Sequence, residues 1–464
     1  MSIRWWRQYS FEDWLFKKYI DSTHELVRLA EKIDWARIYE TLSPYYSTKG
    51  RQAIDIRLMV GLQILKHRYD VSDEVAVKML HENIYWMYFC GIFQPPQAQG
   101  EGPPHRYLDS SSLTKFRRRI GAEGMERLEE IIKDQLKRAH LISPRVAITD
   151  TTAMEKAIAY PTDTDLLYKA RERMVRVIKE VKKLGVDIPS GVRTFRRKAK
   201  KALLYAKKLG KDKLERIERV NAELSQMAKK VIRKVPNICE SIRHQIHRLS
   251  DSQTKQAQRL SRELCELKEL TQRIIEQNAQ RFLGHHIACK VYSLDEPHVV
   301  AIKKGKQGKP TEYGSKVSLT VDRNGFVVTH REYRTNLADI HTLPDVVEDW
   351  QKSFGKVPKE LAADRGFHHS KESREGLGIQ AIARLSIPYK GKRKHPDSGS
   401  YWFKRLQRAR ATIEPITSHL KSEHRMGRCR YKGFEGDQIN VTLATLAWNC
   451  KKWMQIDMAA QPTG

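Results

Sequence analysis

The sequence lacks several things at once. No window approaches the roughly 18 consecutive apolar residues that a membrane-spanning helix requires. The opening residues, Met1-Ser-Ile-Arg-Trp-Trp-Arg7, carry no apolar leader stretch, so the chain is expected to stay in the compartment where it is made. Its six cysteines (Cys90, Cys239, Cys265, Cys289, Cys429 and Cys450) are far apart, and none forms a Cys-x-x-Cys pair. That argues against a zinc site or a disulfide framework and for reduced thiols in a cytoplasm. The pairs His285-His286 and His368-His369 have no Cys or Glu partner at ligand spacing, which argues against a histidine metal site.

Negative charge is heavily outnumbered. Asp and Glu number 55 against 86 Lys and Arg, a net charge of +31. Such an excess favours polyanions through counterion release. A membrane surface would also attract it, but no lipidation motif or single basic amphipathic anchor stands out. Structural nucleic-acid binders share this charge, so it speaks for nucleic acid and says nothing of chemistry. The 464 residues, 40% of them hydrophobic, are enough for two or three domains with real cores.

Four blocks follow along the chain. The first, residues 1–140, reads as helical. Ile54 to His67 has a helical apolar pattern, Tyr69-Asp70-Val71 a turn, and Ser72 an N-cap for a further helix. This spacing suits a helix-turn-helix, though helical hairpins share it. Gln94 to Pro104 is expected to be a loop. Asp109-Ser-Ser-Ser112 then caps a very basic helix, Leu113-Thr-Lys-Phe-Arg-Arg-Arg-Ile120. Residues 141–164 hold a short strand, Val146 to Asp150, after the breaker Ser143-Pro144. Residues 165–290 are helical and basic, with stripes at Ile217, Val220, Leu224, Met227 and Val231 and at Leu260, Leu264, Leu267 and Ile274. These have coiled-coil spacing, and an ordinary helix core is the preferred reading. Breaks near Gly185 to Gly191, Pro236 and Ser250 imply antiparallel hairpins. Residues 291–464 return to strands: Val317 to Val321, a turn at Asp322-Arg-Asn-Gly325, Phe326 to Tyr333, Glu360 to Asp364 and Ile379 to Leu385. Helices are expected at Leu343 to Trp350, Ser370 to Glu375 and around Glu414 to Lys421, the last after the basic loop Lys390-Gly-Lys-Arg-Lys-His395.

With the helical block set aside, the order is strand, hairpin, helix, strand, helix, strand, helix. That is the order of a ribonuclease-H-like fold: a mixed five-stranded sheet with helices, here with a helical N-terminal domain and a long helical insertion between the first and second strands. Asp150 and Asp364 would then stand on adjacent strands, and a late helix could bring Glu414 to them. Three carboxylates suit phosphodiester chemistry, in which two divalent ions activate one oxygen and stabilise another. Singly, each is ordinary: Asp150 as a turn or cap residue, Glu414 as a solvated helix charge. Asp364 has the sharper context, Ala362-Ala-Asp-Arg-Gly-Phe367. On one continuous helix Arg410, Glu414 and Lys421 would share a face. Pro415 tells against continuity, because proline fits only a first turn, so a helix beginning near Thr412 would leave Arg410 outside it.

At these residues the sequence resembles the DDE-type transposases of bacterial insertion sequences. Their last catalytic segment runs Tyr, two residues, Arg, three residues, Glu, six residues, Lys. Arg410, Glu414 and Lys421 match that spacing, with Gln407 in the tyrosine's place. The likeness continues in Ala409 to Ile416, His419-Leu-Lys421, Glu423-His-Arg-Met-Gly-Arg428, Gly436-Asp-Gln-Ile-Asn440 and Trp448-Asn449. It includes Asp150-Thr-Thr152, Tyr160-Pro-Thr-Asp-Thr-Asp-Leu166, Lys290-Val-Tyr-Ser-Leu294, Gly305-Lys306, Asn336 to Leu343, and residues 52–120. The resemblance implies Asp150, Asp364 and Glu414 as catalytic metal ligands and Mg²⁺ as cofactor, with Mn²⁺ as a substitute. It further implies cleavage at inverted-repeat ends, strand transfer into target DNA, and action in the bacterial cytoplasm at the nucleoid. Two ends must be brought together, so at least a homodimer on DNA is expected, with no membrane role. Arg410, Lys421, Lys115, Arg117, Arg118 and Arg119 are the expected DNA contacts, a solvated charge run being the alternative for the last four. A DNA-binding relic that no longer cuts, a nuclease that cannot join and a ribosome-like structural binder are the competing readings.

Overall fold

The structure is a computed structural model. It describes residues 18–460 apart from 48, 50–52, 94–107, 189–192, 210–212, 286, 288, 304–310, 369–378 and 392. The expected loop at Gln94 and helix at Ser370 therefore lie outside the described residues, as do Gly305-Lys306, His286 and His369.

The chain divides into two compact units, one of residues 1–156 with 314–464, the other of residues 157–313. In the first, helices α1 (Glu25–Lys32), α2 (Trp35–Leu42), α3 (Ile56–Arg68), α4 (Asp73–Glu82) and α5 (Ile84–Phe89) precede the long α6 (Ser111–Arg138). Ser72 caps α4 by accepting from Val75 N–H, so the expected turn between α3 and α4 is present. The outer side of α4 offers Glu74, Val75, Lys78 and Glu82, with Lys78 and Glu82 paired at 3.7 Å. A face with two acids and one lysine suits a helical hairpin better than a DNA reader. Helix α6 kinks at Gly121, whose φ of 69° is open to glycine. There the Glu435 carboxylate accepts from Ala122 N–H at 3.2 Å and caps the second half of the helix.

Strand β1 (Val146–Lys156) is the centre of a mixed sheet and runs well past the expected end at Asp150. On one edge it pairs antiparallel with β3 (Thr311–Val321), which pairs antiparallel with β4 (Val327–Tyr333). On the other edge, Val146–Ile148 pairs in parallel with β5 (Glu360–Ala362), and β5 with β6 (Arg384–Ser386). The last two residues of β1 pair with β7 (Arg428–Cys429) on that same side. Between Ile148 and Glu155, then, this edge of β1 has no strand partner among the described residues. Parallel strands that part at their C-terminal ends open a crevice there. Strand β6 begins at Arg384, later than the expected Ile379, because Ile379 and Ile382 are buried in a turn that leads into it.

One face of the sheet carries α12 (Asp339–Phe354), whose Leu343, Val346, Val347 and Trp350 join Ala147 and Leu361 in a core that continues into the N-terminal helices. The other face packs Val146, Ile148, Leu319 and Ala362 against Leu406 of α13 (Tyr401–Arg410) and Ile413, Ile416 and Leu420 of α14 (Ile413–Glu423). Arg410 ends α13 and Pro415 lies in the first turn of α14, so the two helices are not continuous. Helix α14 thus begins just past Thr412, as Pro415 implies, with Arg410 outside it. The long α15 (Gly433–Ala459), buried along most of its length, closes the unit.

In the second unit, α7 (Asp163–Lys183), α8 (Arg196–Lys208), α9 (Leu214–Ile232), α10 (Val235–Gln245) and α11 (Asp251–Phe282) form a helical bundle, followed by the short strand β2 (Val300–Lys303). The stripes Val220, Leu224, Met227, Val231 and Leu260, Leu264, Leu267, Ile274 are buried in its core, with Ile217 at the margin. Pro236 lies in the first turn of α10, and Ser250 and Gln253 form a reciprocal cap on α11. A buried polar chain sets the helix register: the Thr164 hydroxyl donates to Asn221 at 2.7 Å, and the Asn221 amide donates to Asn278 at 3.1 Å.

In the first unit, a buried ionic cluster joins α6 to β4 and α15. Glu129 lies 3.4 Å from His330 and 3.0 Å from Lys133, and accepts from Thr445 at 2.7 Å. His330 also lies 2.9 Å from Glu332. Burial opposes its charge, but Glu129 and Glu332 outweigh burial and push its pKa up to about 10. A raised folded-state pKa stabilises fully below the ordinary 6.5 and is lost as pH rises through 10. Urea unfolding is therefore expected to show stability falling between pH 6.5 and 10 in wild type, with a flatter profile in His330→Gln. The same slope in both would remove His330 as the cause.

Candidate active site at the strand ends

On the parallel strands β1 and β5, Ile148 stands beside Ala362. Asp150 and Asp364 each lie two residues further on, and Asp364 keeps an extended backbone, with φ −81° and ψ −178°. Alternate residues of a strand share a face. Both carboxylates therefore lie on the face where Ile148, Ala362, α13 and α14 pack, at the mouth of the crevice. Asp150 accepts from Thr151 N–H at 2.7 Å, and Asp364 from Gly366 N–H at 2.6 Å. Burial, followed by the charges of Asp364 and Asp339, pushes the Asp150 carboxyl up to about 6, against the opposing pull of the Thr151 N–H and Arg410. Asp150 thus senses Asp364, Asp339 and Arg410 at once.

Asp339 was not among the expected site residues. It begins α12, on the opposite face, where an acid in a helix's first turn is unremarkable in sequence. Its Oδ1 accepts from the Thr151 hydroxyl at 2.5 Å and from Lys316 Nζ at 2.5 Å. A Cβ on Gly366 would stand 2.4 Å from Asp339 Oδ2 and 2.9 Å from Asp364 Oδ1, so only glycine lets these two carboxylates approach the turn after β5. Gln407, in the position of the family's tyrosine, braces the same strand ends: its amide donates to Ser386 O at 2.8 Å, Ser386 Oγ at 3.0 Å and Ala363 O at 3.4 Å.

Glu414 reaches the same sheet face through α14, but its side chain is 61% exposed and is held by Arg410 at 3.0 Å. Among the described residues, no group of three or more His, Cys, Asp or Glu side chains forms a metal-holding set. The structure sets Asp150, Asp364 and Asp339 around the same strand ends without closing them into such a set, and leaves Glu414 paired with Arg410. Lys421 lies half-buried in the last turn of α14, its carbonyl accepting from Gly427 N–H at 3.2 Å.

Residues 15–119 match a family model described as "Transposase domain (DUF772)", and residues 290–450 match one described as "Transposase DDE domain". Over 192 residues the chain is 40% identical to the uncharacterized protein ORF8 in the nfe locus of Rhizobium meliloti, covering 40% of this chain and 87% of that protein. The chain belongs to the DDE transposases of insertion sequences. No solved structure matches it. Transposases act on DNA, and the DDE family generally uses a divalent metal.

Of the four cations expected to touch DNA on α6 of this transposase, Lys115, Arg118 and Arg119 are exposed, with Arg119 4.7 Å over the Tyr46 ring. Arg117 is not exposed, which corrects its place among the DNA contacts. It lies on the buried stripe with Leu113, Phe116 and Ile120, 6% exposed. It bonds Asp73 at 2.6 and 3.1 Å and Gln63 at 3.1 Å, and stacks 4.3 Å over Tyr431. Lys66 joins the same carboxylate at 2.5 Å. Both cations would be left buried without a full complement of charge if Asp73 were lost. Removing one partner of such a buried pair costs about 3–5 kcal/mol. Arg117→Ala is expected to lose stability on that scale in urea titration, and Arg118→Ala less than about 0.5 kcal/mol. Equal losses would contradict the assignment of Arg117 as structural.

Proposed function

We propose that this transposase binds the inverted-repeat ends of its element, cuts them and joins them to target DNA by in-line attack on phosphodiesters. It would do so on a ribonuclease-H-like sheet with Asp150, Asp364 and Glu414 as the acidic set. One observation carries the reading: two carboxylates on adjacent parallel strands, sharing one face at the strands' parting ends, with the Asp150 carboxyl pushed up to about 6 by burial and by its acidic neighbours. Carboxyls perturbed by burial and acidic neighbours cluster at functional sites. Hard carboxylate oxygens with a net negative field fit a divalent cation that keeps several of its waters, which suits Mg²⁺, with Mn²⁺ as a substitute. Asp150 and Asp364 would hold it, and Glu414 would complete the set. When bound, it would neutralise charge on the phosphoryl group and activate the attacking oxygen.

The chain's own residues set the stage. Arg410 lies within the field of Asp150 and bonds Glu414, so one guanidinium can hold either the glutamate or a DNA phosphate. A phosphate arriving at Arg410 would free Glu414 to turn toward the aspartates. Lys421, on the helix α14 that carries Glu414, offers a second cation. Behind Asp150, the bonds of Asp339 to Thr151 and Lys316 pin β1 where its pairing with β5 ends, and Gln407 ties the other side of the crevice. Lys115, Arg118 and Arg119 would hold end DNA, and two copies would pair the two ends, in the bacterial cytoplasm at the nucleoid. The competing reading is a DNA binder that no longer cuts, favoured by the Arg410–Glu414 pair.

Cleavage of labelled DNA bearing the element's own ends, with Mg²⁺, distinguishes these readings. Wild type is expected to cut and to form strand-transfer products. Asp150→Asn, Asp364→Asn and Glu414→Gln are each expected to bind the ends and fail to cut. Wild type that binds but never cuts with any divalent ion would leave the relic reading. Asp339→Asn is expected to keep end binding and to lower the cleavage rate by about 10–100-fold, the usual scale for loss of a group that orients a metal ligand. An unchanged rate would remove Asp339 from the site.

A further inference from the structure

The basic excess of this transposase is concentrated in one place. Residues 157–313 hold 36 Lys and Arg against 18 Asp and Glu. Within that unit the long helix α11 interleaves the signs, six cations with five acids, as a solvated helix ordinarily does. Helix α8 does not. Its 13 residues carry Arg196, Arg197, Lys198, Lys200, Lys201, Lys207 and Lys208 and no acid.

The inner side of α8 is nearly all alanine. Ala199 is fully buried, and Ala202 and Ala206 pack on the bundle core. At 100° per residue the opposite side is centred on Arg197, Lys201, Leu204 and Lys208, a row about 16 Å long. All four are exposed, as are the flanking Lys200, Tyr205 and Lys207. Only two of the seven cations have an acidic partner among the described residues: Arg196 with Glu172 at 3.7 Å and Lys207 with Asp165 at 3.3 Å. Arg196 and Lys200, and Arg197 and Lys201, stand one turn apart as like charges, which weakens a helix. Lys230 of α9 stands 5.6 Å over the Phe195 ring, which precedes α8. Leu204 and Tyr205 are 50% and 48% exposed in the midst of this charge. A row of unpaired cations with an apolar residue and an aromatic between them matches a phosphate backbone with its sugars. Five of the seven cations are lysines, which hold phosphates as point charges, and the helix contains no Asn or Gln to read adenine.

We propose that the outer side of α8 is a DNA-docking surface of the helical insertion, holding duplex DNA by its phosphates without reading sequence. This rests on the reading of the chain as a DNA-acting enzyme, and adds a contact far in sequence from both the strand-end carboxylates and α6.

The test uses the full-length protein with Arg197→Gln, Lys200→Gln, Lys201→Gln and Lys208→Gln combined. Glutamine keeps the helix and removes the repulsion, so circular dichroism and the thermal midpoint are expected to hold. Binding is measured against rising KCl, on the element's own ends and on a duplex of arbitrary sequence. Each lost phosphate contact lowers the slope of log Kobs against log salt by about 0.9, so the variant's slope is expected to fall by roughly 3 to 4. Affinity should drop by about 10–100-fold at physiological salt, equally on both duplexes. A second variant that exchanges the four for the other basic residue (Arg197→Lys, Lys200→Arg, Lys201→Arg, Lys208→Arg) should bind like wild type. Wild-type slope and affinity in the Gln variant would overturn the proposal, as would a loss confined to the element's own ends. Loss of binding to anionic phospholipid vesicles with duplex binding unchanged would overturn it too. Wild type that binds with the predicted slopes and cuts nothing would sink the cleavage reading alone. Cutting by a variant whose salt slope is unchanged would sink this proposal alone.

Discussion

Asp150 and Asp364 repel one another, and much of the first unit is organised around keeping them in place. The register of two parallel strands sets them on one face, two residues past the Ile148–Ala362 pair. Burial and the neighbouring acids then hold the Asp150 carboxyl above its ordinary range. Burial beside like charge disfavours the ionised carboxyl, and the backbone beneath it is tied down by hydrogen bonds. It is stiffened from both sides. Lys316 and Thr151 anchor Asp339 under β1, and Gln407 bridges the ends of β5 and β6. At the far end of β1, Lys156 is buried against Asp437 at 2.5 Å, and Ser315 donates to the same carboxylate at 2.5 Å.

The N-terminal helices belong to this rigid frame. Their apolar residues continue the core that covers one face of the sheet, and α15 packs among them. The ionic clusters around Asp73 and Glu129 tie α4, α6, β4 and α15 together at atoms that are almost wholly buried. A basic run on such a frame divides by helical period into cations that hold the fold and cations that face solvent. Arg117 is of the first kind, and Lys115, Arg118 and Arg119 of the second. The helical bundle of residues 157–313 has a separate core, and its charge is distributed differently: balanced along α11 and of one sign along α8.

Much of this was legible in the residues themselves. Alternation at Val317 to Val321 and the Asp322-Arg-Asn-Gly325 turn marked a hairpin, because a strand with one buried face must alternate. Ser72 and Ser250 marked helix starts through the N–H groups they satisfy. Pro415 marked the break between α13 and α14, because its ring cannot sit deeper than a first turn. Asp150 and Asp364 stood out because each follows a short apolar run in the sequence. Other features were hidden. The length of β1 past Asp150 depends on β3 and β7, which pair with it from more than 150 positions away in the chain. Asp339 resembled any acid at a helix start, and Gly366 resembled any turn glycine.

Local chemistry in the sequence determined the helices, the strands, the caps, the two candidate aspartates and the sign of the surface charge, since each follows from side-chain periodicity or from a backbone group that a neighbouring residue satisfies. Only the tertiary structure decided which charges are buried, which carboxylates meet and where the sheet opens. Those depend on distances between segments far apart in the chain. Arg117 became structural because Asp73 and Tyr431 converge on it, Asp339 joined the candidate site because α12 begins beneath β1, and Glu414 is held at the surface by Arg410.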